Sequence, residues 1–160
     1  MPRIIAGSSV GALMAAGVSA LKYSDLWRAF IPEYGMIDAK FLKHEFSGVI
    51  DALRKLKNGK PILSTAQLKK SVRDMTGDMT FLDIYEQNKW NLNITVTVGS
   101  NQGESRLLNY LTAPNVVVWS AVLASCAIPL AFDPVELMIR TETGEIVPYY
   151  TSTFKSKRKQ

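Results

Sequence analysis

The sequence has a single cysteine, Cys126, and a single histidine, His44, in 160 residues. One cysteine excludes an internal disulfide framework and any multi-cysteine zinc site. It also makes a reducing compartment the default expectation. The chain has no internal repeat, no low-complexity block and no linker-like stretch. It carries no helix-turn-helix pattern, zinc finger or RNA-binding aromatic motif, so no nucleic-acid partner is expected. What is present is 47% hydrophobic and 21% charged residues. That balance suits one domain able to bury a core and argues against disorder.

The net charge of +5 is unevenly placed: Lys155, Lys157, Arg158 and Lys159 hold four of the nineteen cations. Residues 151–160 read as a solvated basic tail, residues 1–150 as the domain. Ile4 to Leu21 is uncharged and follows Met-Pro-Arg, superficially like a secretion signal, but Gly7, Gly11, Gly17 and the two adjacent serines weaken its apolar centre. A second uncharged stretch, Leu107 to Phe132, is bracketed by Pro114 and Pro129. The helical piece between them is too short to cross about 30 Å of hydrocarbon and reads as a buried helix.

Arg3 to Ala6 reads as a strand and Val10 to Leu21 as a helix. Ser24 can cap a short helix through Phe30. Asp38 can cap a longer one, which carries Phe41, Leu42, Phe46, Val49, Ile50 and Leu53 at spacings of three and four. Ser64 opens the next helix and Gly77 closes it. Thr80-Phe81-Leu82-Asp83 has the form of a capping box. Asn93 to Val98 alternates with period two and predicts a strand; Leu107 to Leu111 is a second. Asn115 to Cys126 is apolar nearly all round and predicts a buried helix. Asp133–Arg140 and Glu145–Tyr149 are short extended pieces around the Thr143-Gly144 turn. The mixture predicts α/β, with a mainly parallel sheet covered by helices.

The segment "IIAGSSVGALMAA" holds the chemical question. Gly7-x-Ser9-x-Gly11 has nucleophile-elbow spacing. A serine on a tight strand-to-helix turn stands in strained backbone with its oxygen exposed. The next backbone N–H, from Val10, then points at a developing oxyanion at the helix start. Ser8 is the competing hydroxyl. The alternative is an ordinary packed helix start with Ser9 as its cap. His44 sits in Lys43-His44-Glu45, among surface charges on the helix expected after Asp38. That setting does not suit a Ser-His-Asp triad, so a reactive Ser9 would take its proton acceptor from a carboxylate.

Several segments together resemble one family. "AGSSVGALMAA" looks like the elbow of the patatin-like phospholipases. "LLNYLTAPNVVVWSAVLASCAIPLAFDPVEL" and "DMTFLDIYEQNKWNLNITVTV" resemble the triacylglycerol lipase branch found in fungi and plants. The resemblance implies an α/β/α sandwich and ester cleavage in triacylglycerols, phospholipids or related acyl lipids. It implies a Ser-Asp dyad, with no cofactor and no metal. The nucleophile maps onto Ser9 and the motif glycines onto Gly7 and Gly11. It implies an intracellular location at a lipid droplet or membrane surface.

Two elements of that pattern have no counterpart. No glycine-rich oxyanion loop precedes Gly7, and the sequence contains no Asp-Gly dipeptide to supply the dyad aspartate. The expectation is a catalytic domain incomplete at both ends, with the dyad aspartate absent. A catalytically inactive, lipid-associated remnant is the alternative. Asp133, Asp83 and Asp78 are substitutes by elimination only. Ala124, Ser125, Cys126 and Ala127 are small enough for close packing near the elbow, and Cys126 reads as a buried small hydrophobe. Trp27, Phe30, Met36 and Phe41 read as core, with an acyl channel as the alternative.

Overall fold

The computed structural model describes residues 3–26, 65–97, 104–127 and 135–149. The Asp38 helix, His44, Ser64, Asp133, Trp27, Phe30, Met36, Phe41 and the basic tail lie outside these residues.

Strand β1, Arg3–Gly7, leads into helix α1, Val10–Ala20. A 3-10 turn follows at Tyr23–Asp25, where Ser24 was expected to begin a helix. Helix α2, Thr65–Thr76, buries Leu68, Val72 and Thr76, one face at helical spacing, and leaves Lys69, Lys70, Arg73 and Asp74 in solvent. Gly77 stops it at φ 56°, a left-handed conformation that favours glycine, and its N–H bonds Arg73 O at 2.8 Å.

Helix α3, Phe81–Asn88, opens on a complete capping box. Thr80 N–H donates to Asp83 Oδ2 at 2.7 Å, and Asp83 N–H donates to Thr80 Oγ1 at 3.2 Å. Aspartate has a shorter reach than the usual glutamate or glutamine, yet it closes the box here. Lys89 ends the helix at φ 58°, and strand β2, Trp90–Thr97, starts at once.

β2 is the middle strand of the sheet β1-β2-β3. β1 lies parallel to it, with Arg3 opposite Trp90 and Gly7 opposite Ile94. β3, Ser105–Leu108, lies antiparallel, with Ile94 opposite Leu108 and Thr97 opposite Ser105. The described sheet is therefore mixed, and its parallel pair carries the Gly7 turn. β3 ends earlier than the expected Leu111. Asn109 folds the chain back there, its Oδ1 accepting the N–H groups of Leu111 and Thr112, both at 2.9 Å. That is the local competition between an Asn side chain and a backbone ladder. Asn109 Nδ2 also donates to Asn93 Oδ1 at 3.0 Å, so both buried amides have partners.

Helix α4, Val118–Cys126, begins three residues later than the expected Asn115. Val116 and Val117 are taken by bridges to Ile139 and Thr80, and Val117 N–H bonds Met138 O at 2.8 Å. Residues Val118 to Leu123 are all buried, as an apolar girth requires. Strands β4, Met138–Arg140, and β5, Ile146–Pro148, form an antiparallel hairpin with Gly144 at φ 85° in its turn.

The core is continuous from Ala12, Leu13 and Ala16 of α1 through Phe81 and Ile84 of α3 to Leu92 and Ile94 of β2 and Val118 and Val122 of α4. Each large side chain sealed there contributes roughly 1.5–3 kcal/mol. α1 is gripped by this core along its length: Asn88 Nδ2 donates to Ser19 O at 3.0 Å near its C-terminal end. None of the described helices is long and apolar enough to cross a membrane.

Candidate active site

The parallel pairing of β1 with β2 delivers the chain to Gly7, and α1 leaves three residues later. The reversal is a four-residue turn, Ser8 to Gly11, closed by Gly11 N–H donating to Ser8 O at 2.9 Å. Ser9 has φ 53° and ψ −123°. These are the angles of the first central residue of a type II′ turn, a position that normally takes glycine. Holding a serine there stores roughly 1–3 kcal/mol.

Gly7 is needed for close approach. A Cβ at that position would overlap the carbonyl of Gly11 and stand 2.5 Å from Ala12 N. Strand end and helix start thus meet backbone against backbone. Gly11 differs: it is exposed, and a Cβ on it meets no described atom within 4 Å. Its glycine is not required by packing among the described residues.

Ser9 occupies the N-cap position of α1, but its hydroxyl makes no capping hydrogen bond. The helix start is closed by backbone instead, with Ala12 N–H on Ser9 O at 2.9 Å. The reading of Ser9 as an ordinary side-chain cap is thereby excluded. The Cys126 thiol is a neighbour of Ser9. Burial pushes that thiol up to about 11, with the Ser9 contact opposing the shift. Cys126 is thus a neutral, half-buried neighbour of the serine at pH 7.

The Ser9 amide is held from across the molecule. Ser9 N–H donates to Ser125 Oγ at 2.9 Å, and Ser125 Oγ–H donates to Thr95 O at 2.7 Å. The chain from Ser9 through Ser125 to Thr95 joins the turn, the last turn of α4 and strand β2. Sequence reasoning treats Ser125 as one of several small packing residues. Its only signal is a hydroxyl in an apolar helix, and Ser120 has the same signal while bonding locally to Val117 O at 2.7 Å.

Of the amides at the turn, Ser9 N–H and Gly11 N–H are occupied. Val10 N–H has no acceptor among the described residues. It sits at the start of an 11-residue helix with no acidic side chain in its first turn. The dipole and the open amide together favour a negative oxygen there.

Of the carboxylates suggested by elimination, Asp133 lies outside the described residues, and Asp78 and Asp83 have other work. Asp78 takes a two-pronged bond from Arg73, at 2.8 and 2.7 Å, and a third from Trp119 Nε1 at 3.1 Å. The Arg73 bonds hold its carboxyl below the usual carboxylate range. Asp83 closes the capping box and pairs with Arg140 at 2.7 Å. Both are structural. No group of three or more His, Cys, Asp or Glu among the described residues could hold a metal ion.

Comparison with known proteins gives consistent relatives. The chain is 38% identical over 150 residues to the triacylglycerol lipase SDP1L of Arabidopsis thaliana, covering 94% of this chain and 18% of that protein. It is 31% identical over 150 residues to the triacylglycerol lipase ptl2 of Schizosaccharomyces pombe, covering 93% of this chain and 23% of the relative. It is 35% identical over 159 residues to triacylglycerol lipase 4 of Saccharomyces cerevisiae, covering 96% and 17%. The chain thus spans about a fifth of the length of these relatives. The solved structure of the type III effector protein ExoU aligns with 79% of this chain and 34% of its own, at a TM-score of 0.42 and 15% identity. The sequence model described as patatin-like phospholipase matches residues 1–151. With that match over nearly its whole length, and with an α/β fold of helices against a mixed sheet, this chain belongs to the patatin-like phospholipase family.

Proposed function

We propose that this chain carries the nucleophile portion of a lipid acyl hydrolase. Ser9 Oγ attacks the carbonyl carbon of a carboxylic ester and passes its proton to a carboxylate outside the described residues. The tetrahedral oxyanion takes the Val10 N–H. Collapse expels the alcohol, which takes the proton back from the carboxyl group, and leaves the acyl group on Ser9. Water, giving a proton to the same carboxylate, then attacks the acyl-enzyme; the proton passes to Ser9 Oγ as the fatty acid is released. Gly7 lets the turn close, and Gly11 completes the motif.

The observation that carries this reading is the conformation of Ser9. A non-glycine residue is held at φ 53° on a strand-to-helix turn, without the capping bond that would give its hydroxyl a structural purpose. Strain of this kind persists where surrounding contacts over-determine it, and it clusters at reactive positions. The names of the relatives support triacylglycerol or a related acyl lipid as the substrate class. As part of the proposal we place its action inside the cell, at a lipid droplet or membrane surface, where such a substrate would be met.

Labelling with a fluorophosphonate probe tests the reading. The expected result is a covalent adduct on Ser9 that disappears in Ser9→Ala. Flotation with lipid vesicles in the absence of any adduct would instead favour a lipid-associated remnant without catalysis.

A further inference from the structure

Ser9 is held from α4 through its amide, which Ser125 takes at 2.9 Å. A hydroxyl at that position accepts one hydrogen bond and donates another at once. Ser125 uses both: it accepts from Ser9 N–H at 2.9 Å and donates to the Thr95 carbonyl at 2.7 Å. Alanine could do neither.

The direction of the Ser9 N–H is set by ψ of Ser8 and φ of Ser9. A fixed acceptor for that N–H therefore holds φ on its positive side, where the side chain would not otherwise stay. Thr95 fixes the acceptor in turn. It stands on β2 one residue beyond Ile94, which pairs with Gly7, and it is opposite Leu107 of β3. The anchor is thus the middle strand of the sheet, next to the strand that feeds the turn. The same bond leaves Val10 N–H as the open amide between two occupied ones.

We propose that Ser125 is a positioning residue for the nucleophile: by taking the Ser9 N–H and tying it to the Thr95 carbonyl, it holds the turn in the conformation that presents the Ser9 hydroxyl and the Val10 amide together. This rests on the acyl-hydrolase reading above. Ser125 meets Ser9 at its amide, not at its hydroxyl, and so acts through the backbone of Ser9.

The test uses the full chain and two readouts. The first is the rate of fluorophosphonate labelling; the second is hydrogen exchange at the Ser9 amide. Ser125→Ala is expected to slow labelling by about 10- to 100-fold, the loss typical of a misplaced reacting group. It should speed exchange at Ser9 while core amides such as that of Ile94 keep their protection. Ser125→Thr retains the hydroxyl and should recover most of the labelling rate, which a loss of packing alone would not allow. If Ser125→Ala does not fold, Ser125→Cys, a weaker acceptor and donor, makes the same comparison and should fall between wild type and complete loss. Wild-type labelling and unchanged Ser9 exchange in the folded variant would overturn the proposal. Absence of labelling in the wild-type chain would count against the hydrolase reading instead; the exchange comparison would then still decide whether Ser125 holds the turn.

Discussion

Gly7 and Gly11 touch through their backbones: the space a Cβ would need on Gly7 is filled by the carbonyl of Gly11. The two glycines of the motif are therefore unequal. Gly7→Ala forces backbone apart and should destabilise by roughly 1–3 kcal/mol or more. Gly11→Ala puts its Cβ where no described atom lies within 4 Å, on an ordinary helical backbone, and should stabilise by up to about 1 kcal/mol through helix propensity. Urea unfolding of the two variants should shift in opposite directions.

Strain at Ser9 gives a second contrast. Glycine relaxes at φ 53° and alanine does not. Ser9→Gly and Ser9→Ala both remove the hydroxyl, so both should lose labelling. Ser9→Gly should nevertheless be the more stable of the two by about 1 kcal/mol. Equal thermal midpoints would show that no strain is held at this residue.

Asp83 carries the acid sensitivity of the α3 start. Burial pushes its carboxyl up, but the Arg140 pair and the Thr80 N–H and hydroxyl outweigh burial and hold it below the ordinary range. A carboxyl depressed in the folded state stabilises fully above its unfolded value, about pH 4, and loses that contribution as pH falls through the folded value. Asp83→Asn should destabilise at pH 7 by about 1 kcal/mol, the typical worth of a cap. The gap to wild type should close below about pH 4. A gap unchanged down to pH 2 would contradict the assignment.

Cys126 should resist alkylation. Its thiol is pushed up to about 11 by burial, so almost no thiolate is present at neutral pH. Iodoacetamide at pH 7.5 should modify the native chain far more slowly than the urea-unfolded chain. Equal rates would mean that the α4 end is open to solvent.

The residues differ in how far their roles could be read without coordinates. The Thr80–Asp83 box, the Gly77 stop, the Thr143-Gly144 turn and the nearly all-apolar girth of α4 are written in neighbours a few positions apart. So is the bend at Ser9, since a strand lead-in, Gly-x-Ser-x-Gly and a helix former are contiguous. Each rests on bonds or clashes within one turn of chain, which local pattern captures. The ends of β3 and α4 were harder. Asn109 ends β3 through its own side chain on the nearby Leu111 and Thr112 amides, Val117 is claimed by Met138 and Thr80 from other segments, and the hydrophobic pattern alone did not show which bonds would win.

What only the folded chain decided is the setting of the serine. Ser9 and Ser125 are 116 positions apart, and nothing local to either marks them as partners. Their meeting depends on β1 lying parallel beside β2 and on α4 packing against both α1 and that strand. Likewise, only folding brought Trp119 to Asp78 and Arg140 to Asp83. Neighbouring residues dictate where the backbone bends, because sterics and hydrogen bonds act over a few ångströms along the chain. Which side chain holds that bend in place is set by packing, which joins residues without regard to their separation in sequence.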